Sequence, residues 1–176
     1  MKTLKKTTMM LAEAPEMYKT ENDIAPKRRA ELNKLLNQRL ADTVDLQMQL
    51  KTAHWNVKGP SFIGLHELFD TIYESVDSYA DLIAERVAQL GGIALGTVRR
   101  SSANSRLEEY PLDIADGAAH VEAVSRALST FGSSARIMIN EATALDDAGT
   151  ADIFTEISRG IDKWLWFVES HTQAAK

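Results

Sequence analysis

The chain has 176 residues, with 20 basic and 25 acidic side chains, a net charge of −5 and no cysteine. That is long enough for one domain with a full core, and it excludes disulfides and thiolate metal sites. No run of 18 apolar residues occurs and Met9-Met10-Leu11 is too short for a signal peptide, so a cytoplasmic protein with no membrane partner is expected.

Residues 1–26 lack a sustained apolar period and end at Pro26. They read as a flexible basic N-terminal arm, followed by one domain over 27–176. Residues 1–29 hold seven bases and four acids, whereas the rest holds 13 bases and 21 acids. A basic tail on an acidic body suits a polyanion outside and cations within.

From Lys27 the residues Leu32, Leu35, Leu36, Leu40, Val44, Leu46, Met48 and Leu50 recur at threes and fours, which predicts a helix to about Val57. Gly59-Pro60 breaks it. Ser61 is placed to cap a second helix that runs to Leu90 and stops at Gly91-Gly92. Residues 93–115 are mixed, with Gly96, a serine-rich stretch and Pro111. They are long enough to cross the length of a bundle, with a short helix expected around Arg106–Tyr110. A third helix is expected from Asp113 or Asp116 to about Asp146, despite Gly117 and Gly132. After a turn at 147–150 with a capping residue, a last helix is expected from about Ala151 to His171. Four long helices with one long crossover between the second and third make an all-α, ferritin-like four-helix bundle.

The second helix carries an unusual stripe: His66, Asp70, Glu74, Asp77, Asp81 and Glu85, at steps of four, four, three, four and four. All six lie on one helix face, where a bundle would ordinarily place Leu, Ile or Val. A single His/Asp pair at this spacing reads as a surface hydrogen bond. Six such residues read as metal ligands. At ~1.5 Å of rise per residue, His66 and Asp70 stand roughly 22 Å from Asp81 and Glu85, too far for one metal cluster. The numbers pair to a constant sum, however, so a second antiparallel copy would bring His66 and Asp70 of one chain to Asp81 and Glu85 of the other. Two shared metal sites per dimer follow. His54 and His66 flank the Gly59 break and come to the same end of the bundle, so His54 can join this set. Imidazole mixed with carboxylate suits iron, zinc or manganese better than magnesium or calcium. No Glu-x-x-His occurs, which argues against the usual di-iron site within one bundle.

His54-Trp55-Asn56-Val57-Lys58-Gly59, Leu65-His66 with Asp70, Asp81 with Glu85-Arg86, Tyr110-Pro111-Leu112-Asp113, Thr150-Ala151-Asp152-Ile153 and the segment 164–170 together resemble the Dps family, the DNA-binding proteins from starved cells or mini-ferritins. The resemblance covers roughly residues 27–171. It implies a hollow homododecamer of four-helix bundles that oxidises Fe(II), preferentially with hydrogen peroxide, and stores ferric mineral in its cavity. It further implies a ferroxidase centre formed by His54, His66 and Asp70 of one subunit with Asp81 and Glu85 of the next. Zn2+ is a competing occupant of the same ligands. Trp55 is next to the site, where similar proteins keep an aromatic residue for stray oxidising equivalents; a packed core aromatic is the plain alternative. Glu74 and Asp77 read as a solvated face or as sites for extra cations.

Asp146, Asp147 and Asp152 surround the start of the last helix, where similar proteins form an acidic pore for iron entry; an Asp cap is the alternative. His120 and His171 read as surface histidines. Lys2, Lys5 and Lys6 can neutralise phosphates without reading sequence, and twelve copies would add avidity. Sequence-independent DNA binding, and with it association with the nucleoid, is thus a second expectation. The alternative from another class is a DNA-compacting structural protein whose metal site is secondary.

Overall fold

The computed structural model describes residues 17–173. Lys2, Lys5 and Lys6 lie outside the described residues. Within them the elements are α1 (Pro26–Asn56), α2 (Phe62–Gln89), α3 (Val98–Asn104), α4 (Gly117–Ala144) and α5 (Ala148–Glu169). The all-α, ferritin-like bundle expected from the sequence is the fold observed. α1 packs along α2 and α4 along α5, and the two hairpins join through α1 against α4 and α2 against α5. Between them lies one core whose fully buried members include Leu32, Leu36, Leu46, Leu50, Phe69, Ile72, Ile83, Leu128, Phe131 and Phe154.

Local chemistry sets the helix ends. Pro26 opens α1, where its missing N–H costs nothing. Asp116 caps α4 by accepting the Ala119 N–H at 3.0 Å, and Asp147 caps α5 by accepting the Thr150 N–H at 3.0 Å. The last helix therefore begins at Ala148, a turn earlier than the apolar pattern suggested. α2 ends in a Schellman arrangement: the Gly92 N–H donates to the Val87 carbonyl at 2.8 Å and the Gly91 N–H to that of Ala88 at 2.9 Å. Gly91 stands at φ +80°, and a Cβ there would meet the Tyr18 carbonyl oxygen at 2.6 Å. Residues 17–25, expected as part of the arm, are tied to this end. The Tyr18 N–H donates to the Gly91 carbonyl at 2.7 Å, and Arg29 donates to the carbonyls of Ile24 and Leu90 at 3.0 and 3.2 Å.

The crossover contains a short helix, but at Val98–Asn104 rather than around Arg106–Tyr110. The buried Asp42 carboxylate on α1 explains the shift. It accepts the Arg106 backbone N–H at 2.9 Å and the Arg106 guanidinium at 2.5 Å. The Leu107 N–H is held by Ser105 Oγ at 3.2 Å, and Pro111 disfavours helix at the residue before it. With the Arg106 and Leu107 N–H groups claimed by side chains, the segment stays irregular beside α1. Gln49 fastens it further by donating to the Glu108 carbonyl at 2.9 Å.

Candidate metal centre

His54 sits in the last turn of α1 and His66 in the second turn of α2, on either side of the 57–61 loop. That loop is fixed to the start of α4 by the Lys58 N–H, which donates to the Ala115 carbonyl at 2.9 Å. The two imidazoles stack with ring centroids 3.6 Å apart and planes 20° from parallel. Each ring bonds to the other residue's backbone: His54 Nδ1 lies 2.7 Å from the His66 carbonyl oxygen, and His66 Nδ1 lies 2.8 Å from that of His54. A carbonyl can only accept, so both Nδ1 atoms carry the proton. In the neutral imidazole this puts the lone pair on Nε2, which is how a metal-binding histidine is ordinarily prepared.

Asp70 follows one turn after His66 and is half-buried. Its carboxylate is paired with the ammonium of Lys51, which also lies 4.4 Å from the centroid of the Tyr73 ring. The Lys51 hydrogen bond holds the Asp70 carboxyl below the usual carboxylate range, and His54 and His66 act in the same direction. Asp70 is therefore held as an anion with the Lys51 ammonium as its counterion. Lys51 was missed in the sequence reading, although it precedes His54 by three residues and so shares its helix face.

Asp81 and Glu85 are exposed further along α2. Among the described residues, no three His, Asp or Glu side chains of one chain converge on a metal position. Between the two ends of the stripe, Asp77 accepts from Gln47 Nε2 at 2.7 Å, and Glu74 is exposed. Trp55 is 61% exposed beside His54, so it is not a core aromatic of the bundle.

The three aspartates around the start of α5 do not behave alike. Asp147 is 2% exposed. Besides its cap bond it accepts Arg86 Nη2 at 2.7 Å and Thr150 Oγ1 at 2.5 Å. It is a structural tie between α2 and α5. Asp146, at φ 56°, pairs with Arg28 at 2.7 Å on the surface. Asp146 and Asp152 both border one open depression with Thr143 and Thr155.

His120 corrects the reading as a surface histidine. It is 1% exposed, on the core face of α4, with Nδ1 2.6 Å from the Tyr110 hydroxyl. His171 is exposed, with Nδ1 bonded to the Phe167 carbonyl at 3.0 Å.

The ferritin-like domain family matches residues 33–176. A DNA protection during starvation protein from Agrobacterium fabrum is 42% identical over 156 residues, covering 89% of this chain and 96% of the relative. The solved structure of Mycobacterium smegmatis Dps in a tetragonal form superposes with a TM-score of 0.84 at 31% identity, covering 89% of this chain and 94% of that one. DpsA14 from Streptomyces coelicolor gives a TM-score of 0.84 at 33% identity, covering 90% and 94% of the two chains.

Proposed function

This chain belongs to the ferritin-like family and, within it, to the Dps proteins, and from that premise we propose that it oxidises Fe(II) with hydrogen peroxide at centres shared between antiparallel copies. In this reading His54, His66 and Asp70 of one subunit and Asp81 and Glu85 of its neighbour hold the iron, and the ferric product collects in the cavity of a homododecamer. Two Fe(II) ions each give one electron to a peroxide, which takes up two protons and leaves as two waters. Delivering both electrons at one place avoids releasing hydroxyl radical. The carboxylates favour the Fe(III) product, because hard anionic oxygen gains most from the added charge.

The observation that carries this reading is the reciprocal pairing of His54 and His66, which leaves both Nε2 lone pairs free beside the anionic Asp70. The exposed Asp81 and Glu85 of the same stripe supply the second half. Zn2+ fits the same ligand set and would slow iron turnover by competition.

The test is Fe(II) oxidation followed by ferric absorbance after adding peroxide, with assembly followed by light scattering. The combined substitution His66→Ala and Asp70→Ala should reduce oxidation to the uncatalysed rate while leaving the particle intact. Oxidation at the wild-type rate in that variant refutes the ligand assignment. A wild-type particle of 19.5 kDa, a single chain, refutes the shared centre.

Sequence-independent DNA binding through Lys2, Lys5 and Lys6 is the second proposed activity. Its support is the charge of the N-terminal segment together with the relatives' name, DNA protection during starvation protein. Removing residues 1–16 should abolish a salt-sensitive gel shift and leave iron oxidation unchanged. The opposite result favours a DNA-compacting surface elsewhere on the particle.

A further inference from the structure

Tyr110 and His120 form a buried polar pair that the proposed iron chemistry does not use. Tyr110 is 7% exposed, and its hydroxyl lies 2.6 Å from His120 Nδ1. The rings run 25° from parallel with centroids 6.0 Å apart. The remaining nitrogen, Nε2, is buried without a well-formed hydrogen bond. Two apolar residues of the same shape would fill this space at little or no loss of stability, so packing alone does not account for the pair.

Its surroundings are informative. Burial pushes the Tyr110 phenol above its ordinary range and pulls the His120 imidazole below its own, against the Asp116 carboxylate and the Asn56 backbone, which favour the cation; Lys58 disfavours it. At neutral pH the phenol therefore keeps its proton and the imidazole is neutral, so the hydroxyl donates to Nδ1. A neutral base is in place to receive the phenolic proton. Asn56 ends α1 two residues after His54. Tyr110 also borders the groove that Thr52 lines, about 3 Å of helix rise before His54.

We propose that Tyr110 and His120 are a proton-coupled redox pair that holds one oxidising equivalent when a centre carries a single iron. This rests on the iron-oxidising function proposed above. A lone Fe(II) reduces peroxide by one electron, yielding Fe(III), hydroxide and a hydroxyl radical. Tyr110 then gives one electron to that radical, which becomes hydroxide, while the phenolic proton crosses to His120 Nδ1. The result is a neutral tyrosyl radical beside an imidazolium, whose Nε2–H faces the Asn56 backbone and whose charge Asp116 compensates. The next Fe(II) returns one electron to Tyr110, and His120 returns the proton. In sum two Fe(II) and one peroxide give two Fe(III) and two hydroxides, with no radical released.

Two measurements on the full-length assembled protein test this. In the first, with no metal present, a flash-oxidised ruthenium polypyridyl complex in solution supplies the oxidant, and electron paramagnetic resonance follows the radicals after the exposed ones decay. A persistent tyrosyl signal is expected in the wild type, absent in Tyr110→Phe and at least tenfold weaker in His120→Gln, which can bond the hydroxyl but cannot hold its proton. A persistent signal that survives Tyr110→Phe, or its absence from the wild type, overturns the pair. In the second, one Fe(II) per two centres is mixed with peroxide in the presence of a spin trap. Tyr110→Phe should raise trapped hydroxyl radical severalfold while leaving the rate at full iron loading unchanged; equal trapping overturns the proposal. Should Tyr110→Phe fail to assemble, a ring-fluorinated tyrosine at 110 must change the splitting of the persistent signal, and an unchanged spectrum is equally fatal. Failure of wild-type iron oxidation would refute the iron reading alone, since the first measurement needs no iron.

Discussion

At the scale of single residues, the arrangement at the α1–α2 corner fixes the orientation of two ordinary histidines, the proposed ligands. The backbone oxygen of each selects the tautomer of the other, so no rotation is needed before a cation arrives. The stripe and His54 were legible in the sequence because ligand types at helical spacing are visible without coordinates. The stack itself was not, since it depends on how the 57–61 loop folds back. His120 was read as exposed for a related reason: its partner Tyr110 comes from the irregular crossover, whose path no periodicity announces. Burial of His120 has a measurable consequence. Because its folded pKa lies below the ordinary 6.5, the native state binds less proton than the unfolded chain in mildly acidic solution. Its contribution is fully present above pH 6.5 and is lost as pH falls towards the lowered value. Melting temperatures measured from pH 7.5 downward should therefore decline less steeply in His120→Gln than in the wild type.

At the scale of elements, the four long helices were legible because each carries apolar residues at threes and fours over many turns. The short helix was not. Residues 106–110 carry helix-compatible side chains, yet the buried Asp42 captures the Arg106 N–H and guanidinium, and a tertiary contact outweighs local preference. Gly160 presents the opposite case, a small residue inside a helix that looks dispensable. A Cβ there would stand 1.9 Å from Tyr79 Oη and 3.0 Å from Cζ, so the glycine is where α5 admits the Tyr79 side chain of α2. Gly160→Ala should gain about 1 kcal/mol of helix propensity but lose more to overpacking, for which about 1–3 kcal/mol is usual. Thermal denaturation should show a lower melting temperature, partly restored by adding Tyr79→Phe, which removes the colliding hydroxyl but leaves the ring at close contact.

At the scale of the whole molecule, the proposed shared centre makes activity a property of pairs. If the two halves of a centre come from different subunits, defects in opposite halves can complement each other. Subunits with His66→Ala and subunits with Asp81→Ala, each inactive when assembled alone, should recover Fe(II) oxidation when unfolded together and co-refolded. Two-fold pairing at random predicts roughly a quarter of wild-type activity, because half of the dimers are mixed and each mixed dimer regains one of two centres. Absence of recovery in particles shown by mass spectrometry to be mixed would mean that the ligands act within one chain. Numbering alone suggests this pairing. The inner residues were harder to read, because the bond from Gln47 to Asp77 spans two helices and leaves no trace in the spacing of either.

With Asp70 as the proposed cation ligand, its ion pair with Lys51 gives loading the character of an exchange. The arriving ion must displace an ammonium that is covalently tethered to the neighbouring helix and whose local concentration is therefore constant. At this partly exposed carboxylate the hold of the tether and the attraction of the arriving cation are screened alike, so loading of Asp70 should still respond to the salt outside.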